Sequence, residues 1–236
     1  MSKKKSGMQI YTKQDKAILY CGYALLAVFL IAIIVPMVYI VIASFMDPVT
    51  LQNKGISFDF SKWSLDAYER VISDKQIWVG FKNAVLYSVI FTVISVAVTM
   101  LAAYPMSLPD FKGKKFFNTL FVITMFFNGG LIPTYLLINN IGLLDSMWAV
   151  ILPGAFSTFP VFIMAKGFDA VPIALLEAAS IDGAGPLRTF FHIGVPLGVP
   201  GILSAAVLGF LEAWNAIEQP MTFLKTKALW PLSLYP

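Results

Sequence analysis

The sequence is poor in the residues from which most enzyme active sites are built. Its 236 residues include one cysteine and one histidine, and charged residues make up only 13% of the chain. A single cysteine, Cys21, excludes an intramolecular disulfide framework and a cysteine-based metal site. One histidine and few acids inside the apolar runs provide neither a metal cluster nor a nucleophile with its base. The composition therefore disfavours an enzyme.

Apolar residues, in contrast, are abundant. They make up 58% of the chain, with 20 phenylalanines and 10 methionines, and the mean hydropathy is +0.77. A water-soluble domain keeps about a quarter of its residues charged. The chain is therefore predicted to lie in a membrane. Its net charge of +4 is interpreted as a sign of membrane topology rather than of nucleic-acid binding.

Five apolar runs are long enough to cross a bilayer, which takes about 20 helical residues. The first, at residues 17–45, follows a basic tail at residues 1–16, and no small-residue cleavage site closes it. It is therefore interpreted as an uncleaved anchor whose amino terminus is cytoplasmic. Residues 46–77 form the predicted extracytoplasmic loop, and residues 78–236 the predicted core. Within that core the other spans are predicted at residues 78–104, 116–138, 147–168 and 195–217.

Glycine and proline interrupt two of these runs. Gly129, Gly130 and Pro133 are expected to weaken the third span, and Pro200 is expected to kink the fifth. Five crossings also leave the carboxyl-terminal residues outside, so one return span is expected to be missing. Two explanations stay open at this point: a truncated chain, or a tail that packs against a partner.

One short polar stretch, "EAASIDGAGPLRTFFHIGVP" at residues 177–196, stands out between the fourth and fifth spans. Pro172 suits the start of a helix and Gly183 suits its end, while Pro186 suits the start of a second helix. The pattern predicts a helix, a turn and another helix along the cytoplasmic face. An amphipathic interfacial loop is the simpler alternative.

The spacing of that stretch resembles a known signature. Glu177, Ala178 and Ala179, then Gly183 after three residues, and Ile193 to Pro196 after nine more, are similar to the EAA motif of ABC importer permease subunits. Val195 stands where leucine is usual. The stretches "GGLIPTYLLINNIGLLDSMWAVILP" and "FLEAWNAIEQP" resemble the carbohydrate branch, with its maltose-type and polysaccharide- or lipoprotein-type permeases. The family's final span has no counterpart in this sequence.

The resemblance implies an all-α polytopic transmembrane bundle of the type I ABC importer permease kind, with five of the usual spans. It implies that a coupling segment, residues 169–194, docks on a separate ATPase. Glu177 would be the docking acid, Ala178 and Ala179 the close-contact surface, and Gly183 the helix-ending turn. Asp182 and Arg188 are weaker candidates, because a solvated ion pair explains them equally well.

The partners and cofactors follow from the same resemblance. It implies two ABC ATPase subunits, a second homologous permease and an extracytoplasmic solute-binding protein in a bacterial cytoplasmic membrane. The chain itself has no phosphate-binding G-x-x-x-x-G-K-[ST] loop, because its one Gly-Lys pair, Gly113–Lys114, lacks the earlier glycine. No cofactor is therefore expected on this chain, and ATP and Mg²⁺ would bind the partner ATPase.

A carbohydrate path needs polar and aromatic groups inside the apolar spans. The residues that meet this requirement are Asn128, Tyr135 and Asn139 in the third span, Ser157 and Thr158 in the fourth, and Glu212, Trp214 and Asn215 in the fifth. Interhelical packing explains the small hydroxyls equally well, and anchoring at the membrane interface explains the aromatics.

Three other functions remain open. A channel or secondary transporter also breaks its helices, but it should show internal repeats or ion-coupling acids, and neither is evident. A permease for another solute would carry the same motif. An assembly-deficient, truncated membrane protein would also carry it, but would bind no partners.

Overall fold

The computed structural model describes residues 12–47, 51, 55 and 63–235. The chain divides into two compact units, one ending at Ser73 and the other beginning at Asp74. The tail lysines Lys3, Lys4 and Lys5, which carry the predicted topology, lie outside the described residues, as does most of the predicted extracytoplasmic loop before Trp63.

The first unit is dominated by one long helix, α1 (Lys13–Ser44). Thr12 caps it: the Thr12 hydroxyl accepts a hydrogen bond from the Asp15 N–H, and the Asp15 carboxylate accepts one from the Thr12 N–H. Nearly every residue of α1 is exposed, as expected of a helix surrounded by lipid. Beyond α1, Phe45 stacks on Trp63, and a short helix, α2 (Asp66–Ser73), closes the unit.

Every regular element that the structure describes in the second unit is a helix or a helical turn. Its helices, in chain order, are α3 (Lys75–Ser107), α4 (Lys114–Phe126), α5 (Leu131–Asn140), α6 (Met147–Ile151), α7 (Thr158–Asp169), α8 (Ile173–Ile181), α9 (Pro186–Thr189), a π-helical turn (Phe190–Gly194), α10 (Val195–Leu197), α11 (Val199–Trp214) and α12 (Glu218–Phe223). Two short 3-10 turns, Lys227–Leu229 and Leu232–Leu234, follow.

Two of the predicted spans are continuous and three are bent. Helices α1 and α3 are each long and apolar enough to cross a membrane alone. The third predicted span bends by 106° between α4 and α5, the fourth by 55° before α7, and the fifth by 77° before α11. Gly130 has a positive φ of 85° at the first break, as the glycines there predicted. If each bent pair crosses once, the spans number five.

The core of the second unit lies where α3, α7 and α11 cross. Each of the three helices brings a buried alanine to this core, together with two larger side chains of α7: Ala103, Ala165, Ala205, Val161 and Met164. Helices α7 and α11 come into backbone contact at Gly167 and Gly201: a Cβ added to Gly201 would lie only 2.9 Å from the Gly167 Cα. Small side chains permit this close helix approach.

The carboxyl-terminal residues 224–235 pack along the first half of α3. The Asn83 amide donates hydrogen bonds to the Ala228 and Trp230 carbonyls, at 2.8 and 3.1 Å. The Tyr87 hydroxyl donates to the Leu229 carbonyl at 2.9 Å. This tail, for which the sequence suggested truncation or a partner's surface, thus lies against a helix of its own chain.

Candidate coupling segment and substrate path

The coupling segment begins with a short, well-terminated helix. Helix α8 starts after Pro172 and ends in a turn at Gly183, which has φ of 77°. The Ala184 N–H donates to the Ala179 carbonyl at 2.9 Å, and the Gly183 N–H donates to the Ser180 carbonyl at 3.1 Å. These bonds satisfy carbonyls at the helix end, and glycine suits the left-handed residue there.

The surface of α8 and α9 is exposed and mixed in character. Glu177, Ala178 and Arg188 are all exposed. Beside them, Ile181 is 86% exposed and Leu187 is 70% exposed. These two helices thus present charge and apolar area on one surface.

A shallow groove of about 280 Å³ lies behind α8 and includes Ala179, Asp182 and Arg188. Among the described residues, Asp182 and Arg188 form no ion pair, so the alternative of a simple pair between them finds no support in this geometry. The ring of His192 also lines the groove, and its Nδ1 lies 3.0 Å from the Arg188 carbonyl.

An aromatic cluster joins the coupling segment to the core. Phe190 is buried, and its ring centroid lies 4.9 Å from that of Tyr104 on α3. The Tyr104 ring also meets Phe168 of α7 edge-on at 5.5 Å. Gly194, at the end of the π-helical turn, packs against the same ring, because a Cβ there would lie 2.7 Å from it. Both π turns and glycines are frequent where helices change direction.

Five of the eight predicted substrate-path residues line two cavities. The first, about 500 Å³, lies where the break before α5 meets the break before α7, and Asn128, Ser157 and Thr158 all line it. The Thr158 hydroxyl lies 3.1 Å from the Thr124 hydroxyl, and the Asn128 side chain accepts a hydrogen bond from the Gly130 N–H at 2.9 Å. The two breaks thus expose polar groups to one space, as broken membrane helices commonly do.

The second cavity, about 370 Å³, lies at the end of α11 and is called the carboxylate cavity below. Glu212 and Asn215 line it, as the sequence predicted for a path, together with Tyr87, Glu218 and Gln219. None of these last three residues was predicted as a path residue. Glu218 and Gln219 could have been found from their place beside Asn215, but Tyr87 is far away in the chain and gives no local signal.

Three predicted path residues are placed differently. The Trp214 ring stacks on Phe210 at 5.8 Å and meets Phe81 edge-on, and it lines a smaller cavity with Asn215. The Tyr135 ring stacks on Phe223 at 6.3 Å, and Asn139 lies on the same helix, so neither lines a cavity described above. Within the described ranges, no three His, Cys, Asp or Glu side chains gather in a way that could hold a metal ion.

The chain matches a known protein family over most of its length. Residues 6–223 match the family described as the binding-protein-dependent transport system inner membrane component. The chain belongs to this family. Its members are permease subunits of ABC importers, so this permease is a transport subunit and not itself a catalytic enzyme.

The permease is also similar to individual members of the family. It is 34% identical, over 90% of its length and 74% of the relative's, to the polygalacturonan/rhamnogalacturonan transport system permease protein YtcP of Bacillus subtilis (strain 168). It is 32% identical to Protein LplC of the same organism, covering 85% of this chain and 68% of that one. A chain of a bacterial ABC transporter involved in the import of the acidic polysaccharide alginate matches with a TM-score of 0.84 and 27% identity, over 95% of this chain and 80% of that one.

These findings confirm the predicted fold and function at the level of the family. The chain is an all-α membrane permease subunit, multi-pass in the inner membrane, and it falls among carbohydrate ABC importer permeases. Membership implies ATPase and binding-protein partners in general.

Proposed function

We propose that this permease imports an oligosaccharide or related carbohydrate, driven by ATP hydrolysis on two partner ATPase subunits. It pairs with a second, homologous permease and receives its substrate from an extracytoplasmic binding protein. Its amino terminus lies in the cytoplasm. ATP and Mg²⁺ bind the partner ATPases, and this chain couples their closure to alternating access in a bacterial cytoplasmic membrane.

The observation that carries the proposal is the exposed helix α8 with its EAA-type spacing. Glu177 presents a charge to the partner ATPase, and the small side chains of Ala178 and Ala179 allow its backbone to approach closely. Gly183 ends the helix, while Asp182 and Arg188 line the groove behind it. Exposed Ile181 and Leu187 add apolar area that docking would bury.

Motion reaches the bundle through the aromatic cluster of Tyr104, Phe168 and Phe190. These rings come from α3, α7 and the π-helical turn, so a displacement of α8 acts on two core helices at once. Closely packed interiors deform little and pass displacement on to their neighbours. The coupling segment therefore moves the same helices whose ends and breaks line the two cavities.

The solute path on this subunit follows those cavities. Asn128, Ser157 and Thr158 offer hydrogen bonds to sugar hydroxyls in one cavity, and Glu212 and Asn215 do so in the other. Trp214 supplies an aromatic face beside Asn215. Tyr135 acts with them only if its contact with Phe223 opens.

The test is purification of the intact importer from membranes, with the permease carrying Glu177→Lys. Reversing one charge in a docked interface should reduce the amount of co-purified ATPase at least about tenfold. The second permease should still co-purify, because the substitution lies on an exposed helix outside the core. ATP-driven saccharide uptake into vesicles should fall in parallel.

The matched control is Glu69→Lys on α2, an equally exposed acid in the first unit. It should change neither ATPase recovery nor uptake. Normal recovery and uptake with Glu177→Lys would remove the role assigned to this residue. An importer that hydrolyses ATP and carries another solute, but no saccharide, would overturn the carbohydrate assignment.

A further inference from the structure

The carboxylate cavity has the size and lining of a small-molecule site. Its volume of about 370 Å³ falls within the range of roughly 300–1,000 Å³ typical of such sites. Its inner wall is formed by the buried side chains of Tyr87, Phe91 and Ile151. The opposite wall carries polar side chains, including the amides of Asn215 and Gln219. Apolar and aromatic walls with a few polar groups suit a sugar ring, which has apolar C–H faces and hydroxyl edges.

The charge of this cavity is one-sided. Glu212 and Glu218 both line it, and no lysine, arginine or histidine is among the described residues that do. The two lysines next along the chain are Lys225 and Lys227. Lys227 Nζ instead lies 6.0 Å from the centroid of the Trp230 ring.

The backbone adds to the negative potential. Glu212 stands in the last turn of α11, where unpaired carbonyl groups carry partial negative charge. The Leu211 carbonyl in the same turn is paired, because it accepts hydrogen bonds from the Asn215 backbone N–H at 3.1 Å and from the Asn215 side chain at 2.7 Å. A second anion brought beside these groups, with apolar walls behind it, meets repulsion that water screens only in part.

We propose that this cavity selects against acidic saccharides, so that the importer carries neutral or amino-bearing oligosaccharides in preference to uronic-acid oligomers. The inference rests on the proposed carbohydrate function and names its substrate class. Glu212 and Glu218 are specificity residues: they accept hydrogen bonds from hydroxyl or ammonium groups and repel a carboxylate. The structural relative that imports the acidic polysaccharide alginate, and YtcP, whose name gives the acidic polymer polygalacturonan, would then both differ from this chain in charge preference.

The test compares two substrates that share one sugar backbone and differ in charge. The intact importer, purified with its partners and reconstituted in vesicles with its binding protein, takes up either trigalacturonate or its methyl ester, in which every carboxylate is neutralised. The expected result is that the ester enters at least about tenfold faster than the free acid. Equal rates would overturn the charge inference and leave the carbohydrate proposal standing.

The double variant Glu212→Gln/Glu218→Gln separates this cavity from the binding protein, which is the same in both importers. The ratio of acid to ester uptake should rise at least about fivefold in the variant. The matched control, Glu69→Gln, removes an exposed carboxylate far along the chain and should leave the ratio unchanged. An unchanged ratio in the double variant would overturn the role of these two residues.

A failure of the proposed carbohydrate function would give a different experimental result. If the reconstituted importer hydrolyses ATP but moves neither saccharide, and also moves no neutral or amino-bearing trisaccharide such as cellotriose or chitosan trimer, the carbohydrate function fails and the inference fails with it. If it moves the neutral trisaccharides and the free acid equally well, only the charge selection fails.

Discussion

The two ends of the second unit are held together by different combinations of contacts. At the end that carries the coupling segment, Gly194 lies against Tyr104, and Gly198 against Phe168, through shape alone. At the opposite end, side chains of α3 donate hydrogen bonds to carbonyls of residues 227–230. Shape-dependent contacts respond to a single methyl group, whereas hydrogen-bonded contacts respond to the loss of a polar atom. The end with the coupling segment thus relies on fit, whereas the end near the carboxylate cavity combines fit, as where Gly80 lies against the Tyr235 ring, with hydrogen bonds.

Gly201→Ala should give the largest effect on stability. It places a methyl group against the backbone of α7, where no flexible side chain can move aside. The added Cβ would lie 2.9 Å from the Gly167 Cα, so α7 and α11 must separate. Overpacking of this kind costs about 1–3 kcal/mol. The expected result is a lower apparent Tm for the solubilised permease. Gly22→Ala, where nothing lies within 4 Å of the new methyl group, is the control and should not lower it.

Gly194→Ala tests whether fit governs coupling. Its Cβ would lie 2.7 Å from the Tyr104 ring, and the ring must move to make room. Substitutions within a coupling network change coupling by about 0.5–2 kcal/mol, so uptake per ATP hydrolysed should fall roughly twofold to thirtyfold.

Tyr104→Leu provides the second half of a double-mutant cycle. It removes the ring edge that Gly194→Ala would strike, so the double variant should lose less coupling than the sum of the two single changes. Strictly additive losses would show that the two residues do not act through their contact. Recovery of the ATPase on purification serves as the check that docking itself is intact.

Asn83→Ala should loosen the opposite end without a change in packing volume at the coupling segment. It removes two hydrogen bonds to the carboxyl-terminal segment, each contributing about 0.5–1.5 kcal/mol. Trypsin should then cut after Lys225 or Lys227 several times faster. Lys82→Ala, at the neighbouring exposed position, is the control; an equal increase there would point to a general effect on α3.

Substitution of Asp145 should have the smallest effect on stability, and that effect should depend on pH. The Thr226 hydroxyl and the backbone N–H groups of Thr226 and Lys225 donate to its carboxylate, which lowers the pKa of Asp145 below its ordinary value of 3.8. A lowered pKa means that the contribution of the carboxylate to stability is present above about pH 4 and disappears as the pH falls through the lowered value.

Asp145→Asn keeps a residue that tolerates the positive φ of 58° at this position. Its Tm should lie slightly below that of the unmodified permease at pH 7, and the gap should close on acidification below about pH 4. A gap that persists at low pH would mean that the charge of Asp145 is not its cause.

Features encoded locally were predictable from the sequence, and those created by the fold were not. Gly183 and Gly130 lie at chain reversals that favour glycine, so the end of α8 and the break before α5 were predictable. The membership of Tyr87 in the carboxylate cavity depends on α3 packing beside the end of α11, more than 120 residues later. The contact between Gly167 and Gly201 likewise depends on how α7 packs against α11.

The bend angles show the same limit. Glycine and proline predicted that the third span is interrupted, but the 106° turn between α4 and α5 depends on tertiary packing that no short window contains. Likewise, Tyr135 has the chemistry of a sugar contact, and only the position of Phe223 reveals that its ring has another neighbour.

The π-helical turn at Phe190–Gly194 has a mechanical meaning. There the Val195 N–H donates to the carbonyl five residues earlier, so the turn holds one residue more than an α-helical path needs. Each residue of an α-helix corresponds to about 100° of rotation and 1.5 Å of advance. Shifting that surplus residue along the chain would rotate α8, which precedes the turn, and would not stretch any covalent bond.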